Sequence, residues 1–240
     1  MTAPAQDWKI AADHPMAGLV AETYRAFAGP PPETLAVCTC CGLPAAAQRT
    51  MRIKPAQAIT RAELEDWFGS AAEAPYPAEA ARHLLPRLIE ALVASARHPT
   101  AAELFLERSR AGERGLWTPV QWQILDRFQR WYLTQADWPD EEHFNSVLCM
   151  FVLAGWPLDG LEAQILALPD AALVARLWQA QDRLWAQTSF WPKGLSPPSY
   201  LKAPALRERL YAIILSETLP DTVIGQALEL EERLDAFGTR

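Results

Sequence analysis

The chain has 240 residues, with 22 Lys and Arg against 29 Asp and Glu and a formal net charge of −7 at pH 7. It is 50% hydrophobic and 21% charged, the balance of a globular protein with a sizeable core, not of a disordered or fibrous chain. The acid excess and the lack of any long Lys/Arg run argue against a nucleic-acid partner, because phosphate recognition needs a basic face, and the one local basic patch (Arg49, Arg52, Lys54) is too small to reverse that field.

The N-terminal residues 1–15 hold no apolar segment and include Asp7 and Asp13, so they do not read as a signal peptide. The longest apolar run, residues 147–156, is too short to cross a bilayer and reads as a buried helix. These features point to a cytoplasmic protein with no membrane partner and with reduced cysteines.

In chain order, residues 16–28 place Leu19, Val20, Tyr24 and Phe27 at helical spacing, and Gly29-Pro30-Pro31-Pro32 ends that helix. Three of the four cysteines follow within four residues, as Cys38-Thr39-Cys40-Cys41. The alternation over residues 50–54 suggests an extended strand, so a small β-hairpin near 37–54 is the most sheet expected. Thr60-Arg61-Ala62-Glu63 is a capping box that opens a helix through Phe68.

Residues 77–97 form the strongest helical segment, with Leu84, Leu88, Ala91 and Leu92 as its apolar stripe. Pro86 falls inside it and either kinks the helix or marks its true start. Thr100 with Glu103 suggests a second capping box and a helix to Ala111, closed by Gly112. Thr118-Pro119 starts another, whose Val120, Ile124, Phe128, Trp131 and Tyr132 cover a wide arc. Asp137 to Glu142 gives an acidic start, and the helix after it, over residues 147–154, is apolar all round and belongs at the centre.

In the second half, Leu168-Pro169-Asp170 opens a helix carrying Leu173, Leu177, Ala180 and Leu184. Leu219-Pro220-Asp221 opens another carrying Val223, Ala227, Leu230, Leu234 and Phe237. The likeness hints at helix-pair repeats of about 50 residues. The expected fold is all-α, an irregular multi-helix bundle in one domain over residues 1–240, with a division into 1–156 and 157–240 as the alternative.

Cys38-x-x-Cys41-Gly42 has the form of half a zinc knuckle, and Cys38, Cys40 and Cys41 are the candidate metal ligands. Zinc is the cofactor that pattern would take. The usual second ligand pair is missing, which leaves Cys149, His14, His83, His98 and His143 to complete a site. The competing readings are small reduced residues at a turn, or a redox couple, for which Cys38 with Cys41 is better placed than the strained vicinal pair Cys40-Cys41. His83, Arg87 and Glu90 share one helix face and are the candidate catalytic residues, with Arg87 binding a carboxylate or phosphate and His83 or Glu90 moving a proton. The plainer reading is an ion pair that fixes Arg87 against a neighbouring helix. Asp140-Glu141-Glu142-His143 reads as acids at a helix start, not as metal ligands. No nucleophile elbow, zinc-protease, phosphate-loop or dinucleotide motif occurs.

The segment order also carries a resemblance. Tyr24-x-x-Phe27, the Pro-rich break, Cys38-x-Cys40-Cys41, the Thr60 helix, His83-Leu84-Leu85-Pro86-Arg87-Leu88-Ile89-Glu90 and Trp117-Thr118-Pro119 succeed one another. Over roughly residues 20–135 this resembles an uncharacterised bacterial all-helical family with an early cysteine pair and an "HxLPRLxE" helix. The family carries no assigned activity, so the resemblance implies a bacterial, soluble helical protein and nothing about substrate. Where those relatives have a Trp-Gly-Asp-rich turn, this chain has Ala74-Pro75-Tyr76-Pro77.

The leading expectation is therefore a helical scaffold or protein-interaction protein, acting on another protein or by self-association, and without catalysis. The rival is a metal-assisted or carboxylate-binding enzyme that joins the cysteine loop to His83, Arg87 and Glu90. A third is a helical domain with a purely structural zinc site.

Overall fold

Ten α-helices, joined by short 3-10 turns, make up the regular structure in a computed structural model that describes residues 8–40, 42–71, 77–94, 102–104, 106–134, 144–181, 190–194 and 200–238. The fold is all-α. Among the described residues the only β-type pairing is a single bridge at Val37.

α1 (Ala17–Ala26) buries Leu19, Val20 and Thr23 and stops before the Gly-Pro break. α2 (Ala45–Ile53) stands where the strand of a hairpin was expected. The alternation of Thr50, Met51, Arg52 and Ile53 suggested a pleated segment, but Ala45, Ala46, Ala47 and Gln48 before it are strong helix formers and carry the helix through. Only Met51 of α2 is buried, so no two-sided sheet face exists to favour a strand.

α3 (Arg61–Gly69) has the expected capping box: Glu63 N–H donates to Thr60 Oγ1 at 3.3 Å, and Thr60 N–H donates to Glu63 Oε2 at 2.8 Å. Such a cap stabilises by about 1 kcal/mol. α4 (Ala78–Val93) continues through Pro86, which lies in its interior and is not its start. The ring removes the donor that would otherwise reach the Arg82 carbonyl. Leu84, Leu88, Ala91 and Leu92 are all buried, as their spacing requires.

The helix expected from Thr100 to Ala111 is not formed. Thr100 lies outside the described residues, and beyond it the chain makes 3-10 turns at Ala102–Leu104 and Glu107–Ser109. Gly112 caps nothing. It packs against the end of α6 (Phe144–Leu153), donating its N–H to Ala154 O at 2.8 Å. A Cβ on Gly112 would fall 2.3 Å from the backbone nitrogen of Trp156, and Gly155 beside it has φ +104°. Backbone meets backbone here with no room for a side chain.

α5 (Pro119–Thr134) begins with a second reciprocal cap between Thr118 and Gln121, and Gln121 Nε2 also donates to Ala26 O at 2.9 Å, tying α5 to the end of α1. Ile124, Phe128 and Tyr132 are buried, but Val120 is 61% exposed, so the buried arc is narrower than the sequence suggested. α6 is buried from Phe144 through Phe151, as an all-apolar helix must be. The acidic stretch before it, including Asp140, Glu141, Glu142 and His143, lies outside the described residues, as does His98.

α7 (Leu158–Leu166) packs on α5 and α6, where Gln129 and Gln164 exchange amide hydrogen bonds at 3.1 and 3.2 Å. α8 (Asp170–Gln179) and α10 (Asp221–Gly238) start at the two Leu-Pro-Asp signals, and α9 (Pro204–Ile214) forms an antiparallel hairpin with α10 against α8. A continuous hydrophobic core links Trp8 to Leu234. No described helix is long and apolar enough to cross a membrane.

Arginines repeatedly satisfy backbone carbonyls at the ends of elements, where helices leave acceptors unmatched. Arg108 reaches Trp67 O at 3.0 Å and Ser70 O at 2.8 Å, closing the end of α3. Arg209 donates to Leu166 O at 2.6 Å, to Leu168 O and to Asp170 Oδ1 at 2.6 Å, closing α7 and fixing the start of α8.

Candidate functional site

A cleft of about 380 Å³ opens where the Pro-rich break after α1 meets the end of α2 and the first turns of α4. Phe27, Pro30, Pro31, Ile53, Pro55 and Pro86 give it apolar walls, and Tyr24, Lys54, Gln57, Glu79, Arg82 and His83 supply polar groups. Its size is that of a small-molecule site. Four of its residues, Glu79, Arg82, His83 and Pro86, come from one stripe of α4 at positions i, i+3, i+4 and i+7.

The sequence singled out His83, Arg87 and Glu90 as one polar face. The structure divides them. Arg87 is fully buried and is committed to the fold: Nε donates to Ile59 O at 2.9 Å, and Nη1 donates to Trp8 O at 2.5 Å and to Glu90 Oε2 at 2.6 Å. It cannot receive a ligand without abandoning those acceptors. Glu90 accepts from the Tyr24 hydroxyl at 2.5 Å as well. Burial, and then the Glu90 carboxylate, hold the Tyr24 phenol well above its ordinary pKa, so it stays a donor. Arg87, Glu90 and Tyr24 therefore form one hydrogen-bonded cluster, of which only Tyr24 lines the cleft, and this is the ion-pair reading of that helix face.

His83 does line the cleft. Its Nε2 lies 3.2 Å from Met51 O. A carbonyl only accepts, so Nε2 carries the proton and Nδ1 keeps a lone pair. Burial lowers the His83 pKa, with the Met51 carbonyl opposing, so the ring is neutral at pH 7.

Arg82, one residue before His83, was not singled out by the sequence. It is half-buried and, among the described residues, makes no hydrogen bond or ion pair. Its Nη1 lies 3.9 Å from where a Cβ on Gly29 would stand, which places the guanidinium against the Gly29 wall of the cleft. Lys54 at the cleft edge is already paired with Glu63. Burial works to raise the Glu63 pKa, but the Lys54 and Thr60 hydrogen bonds outweigh it and hold that carboxyl below its ordinary value. Glu79 sits exposed at the rim. The signal that could have found Arg82 is the i, i+4 step from Arg82 to Pro86, since Pro86 strips the Arg82 carbonyl of its helical donor on the same side.

The members of the basic patch seen in the sequence are engaged differently. Arg52 donates to Glu33 O and Lys54 to Glu63, which leaves Arg49 as the member with no such bond among the described residues.

The cysteine loop stands apart from the cleft and contributes nothing to its lining. It is anchored at both ends: Cys38 N–H donates to Ala71 O at 2.8 Å, Leu43 N–H to Ser70 Oγ at 2.6 Å, and Gln48 Nε2 to Val37 O and Leu43 O at 2.9 and 3.0 Å. Cys38 Sγ and Cys40 Sγ are 2.8 Å apart, and Cys40 N–H points at Cys38 Sγ at 3.4 Å. Cys40 is exposed and Cys38 half-buried, while Cys41 lies outside the described residues. Cys149 is buried in α6. Among the described residues no three His, Cys, Asp or Glu side chains gather closely enough to hold a metal ion.

No protein-family model, curated protein or solved structure matches this chain.

Proposed function

We propose that this protein binds a small organic monocarboxylate in the cleft between α1, α2 and α4. The observation that carries the reading is Arg82, a half-buried guanidinium lining a cleft of mixed apolar and polar walls and with no internal partner among the described residues. A guanidinium offers paired donors that match a carboxylate. The proline and phenylalanine walls suit an apolar ligand body, and His83 Nδ1 offers an acceptor for a ligand hydroxyl or amide. Glu79 at the rim repels a second negative charge, which favours a monoanion over a dianion. The carboxylate-binding role that the sequence suggested for Arg87 thus moves five residues back along α4.

Titration calorimetry with benzoate and hexanoate, each against its amide, tests this. The carboxylates bind and the amides do not, and Arg82→Gln weakens carboxylate binding by about tenfold or more. Equal affinity for acid and amide, or no loss in Arg82→Gln, defeats the proposal.

A second reading, protein interaction, is supported by the α9–α10 hairpin. Tyr211, Leu215 and Leu228 are 50%, 80% and 46% exposed. The Arg207–Asp235 ion pair and the Tyr211–Glu231 hydrogen bond set a register that puts Leu215 beside Leu228. Glu208, Glu217, Asp221, Glu229 and Glu232 are exposed on the same two helices and the turn that joins them, so the occupant we infer is a basic amphipathic helix of another protein. A synthetic Lys/Leu amphipathic helix should bind the native chain and lose binding to Leu215→Glu with Leu228→Glu. Unchanged binding would sink this reading.

A further inference from the structure

Neither reading uses the cysteine loop, yet the loop is anchored at both ends. Val37 O, Cys38 N–H, Leu43 N–H and Leu43 O are each held by a partner from α2 or from the end of α3. Gly42 is pressed so closely on Ser70 that an added Cβ would lie 2.1 Å from its Oγ. Within that frame the chain bends at Thr39 and Cys40 and turns two thiols toward one another, with the sulfurs 2.8 Å apart.

We propose that Cys38 and Cys40 are a dithiol that closes a reversible disulfide by exchange with a low-molecular-weight disulfide such as oxidised glutathione. Residues separated by one position are never more than about 7 Å apart at Cα, and the bend shortens that span toward the range a disulfide bridges. The partition of exposure assigns the roles. Exposed Cys40 meets the small disulfide, and half-buried Cys38 resolves it.

The steps balance as follows. The Cys40 thiolate attacks one sulfur of the glutathione disulfide, forming a Cys40–glutathione bond and releasing one glutathione thiolate. The Cys38 thiolate then attacks Cys40 Sγ, forming the Cys38–Cys40 bond and releasing the second glutathione thiolate. Two protons leave the protein thiols, the dithiol is oxidised by two electrons, and one small disulfide is reduced to two thiols. The sequence favoured Cys38 with Cys41 as the couple; Cys41 lies outside the described residues, and among those described the bend brings Cys40 to Cys38.

The test treats the full chain with glutathione buffers of graded poise, quenches by alkylation, and maps products by tandem mass spectrometry. The expected product has lost two hydrogens and carries a Cys38–Cys40 bond, reversed by excess reduced glutathione. Cys41→Ser should still close it. Cys38→Ser should stop at a stable glutathione adduct on Cys40, and Cys40→Ser should react slower by about tenfold. Closure between Cys41 and either neighbour, loss of closure in Cys41→Ser, or thiols protected by stoichiometric metal in the purified protein would each overturn the assignment.

Discussion

Arg82 and Arg87 are the same residue type on the same helix, five positions apart, and they have opposite fates. Arg87 is sealed under Trp8, Ile59 and Glu90 and spends its donors on the fold. Arg82 faces a cleft and spends none among the described residues. The difference lies in what each stripe of α4 meets. One stripe meets the chain on either side of it, where Trp8 and Ile59 present carbonyls lacking helical donors. The other meets the Pro-rich break after α1, which leaves space. A cation on an amphipathic helix is thus a structural clamp or a ligand contact according to its neighbours' backbones, not its own spacing.

Removing the clamp should have the largest effect. Arg87→Met strips Glu90 of its cation inside the protein and orphans two carbonyls, and should lower stability by about 3–5 kcal/mol in chemical denaturation. A loss under about 1 kcal/mol would erase the contrast between the two arginines. Tyr24→Phe removes one donor to Glu90 while Arg87 remains, and should cost about 1 kcal/mol by the same measurement.

His83 shares the cleft-facing stripe with Arg82, and its titration reports on that side of α4. Its folded pKa is lowered, so as pH falls through about 6.5 the unfolded chain takes up the proton first. The His83 contribution is therefore intact above that pH and is lost progressively below it. His83→Gln, which keeps an N–H donor for Met51, should flatten the stability profile between pH 7 and 5 relative to the native chain. A parallel profile would mean that the ring is hydrated. The smallest effect belongs to Arg82→Gln, within about 0.5 kcal/mol of native stability, as expected of a side chain that clamps nothing. A larger loss would make Arg82 a second clamp.

What the sequence made legible was local. The capping box at Thr60, the start at Thr118-Pro119 and the Leu-Pro-Asp signals before α8 and α10 each depend on a few adjacent residues, and each stands where the motif put it. The stripe through Leu84 and Leu88 was equally plain, because burial of one face imposes its own period. Residues 45–53 were misread because the alternation at their end was weighed without the alanines at their start. α7 and α9 went unseen as separate helices, since prolines on either side of α7 and the long connector before α9 masked their short apolar patterns. The cleft was illegible for a different reason. It exists only where three segments distant in sequence come together, and no spacing within α4 reports that meeting. The same holds for Arg87, whose burial depends on Trp8, 79 residues away.

The crossing of Gly112 over the end of α6 limits how this protein can diverge. Walls of the cleft can exchange one apolar residue for another, and the exposed hairpin stripe can drift freely in its neutral positions. Positions 112 and 155 have no such latitude, one because its Cβ would strike the Trp156 backbone, the other because its φ of +104° excludes ordinary side chains. Any chain that descends from the same ancestor and keeps this fold should hold glycine at both points long after its surface has become unrecognisable. Two glycines spaced as Gly112 and Gly155 are, with an aromatic residue directly after the second, would then be a more durable mark of kinship than the cysteines.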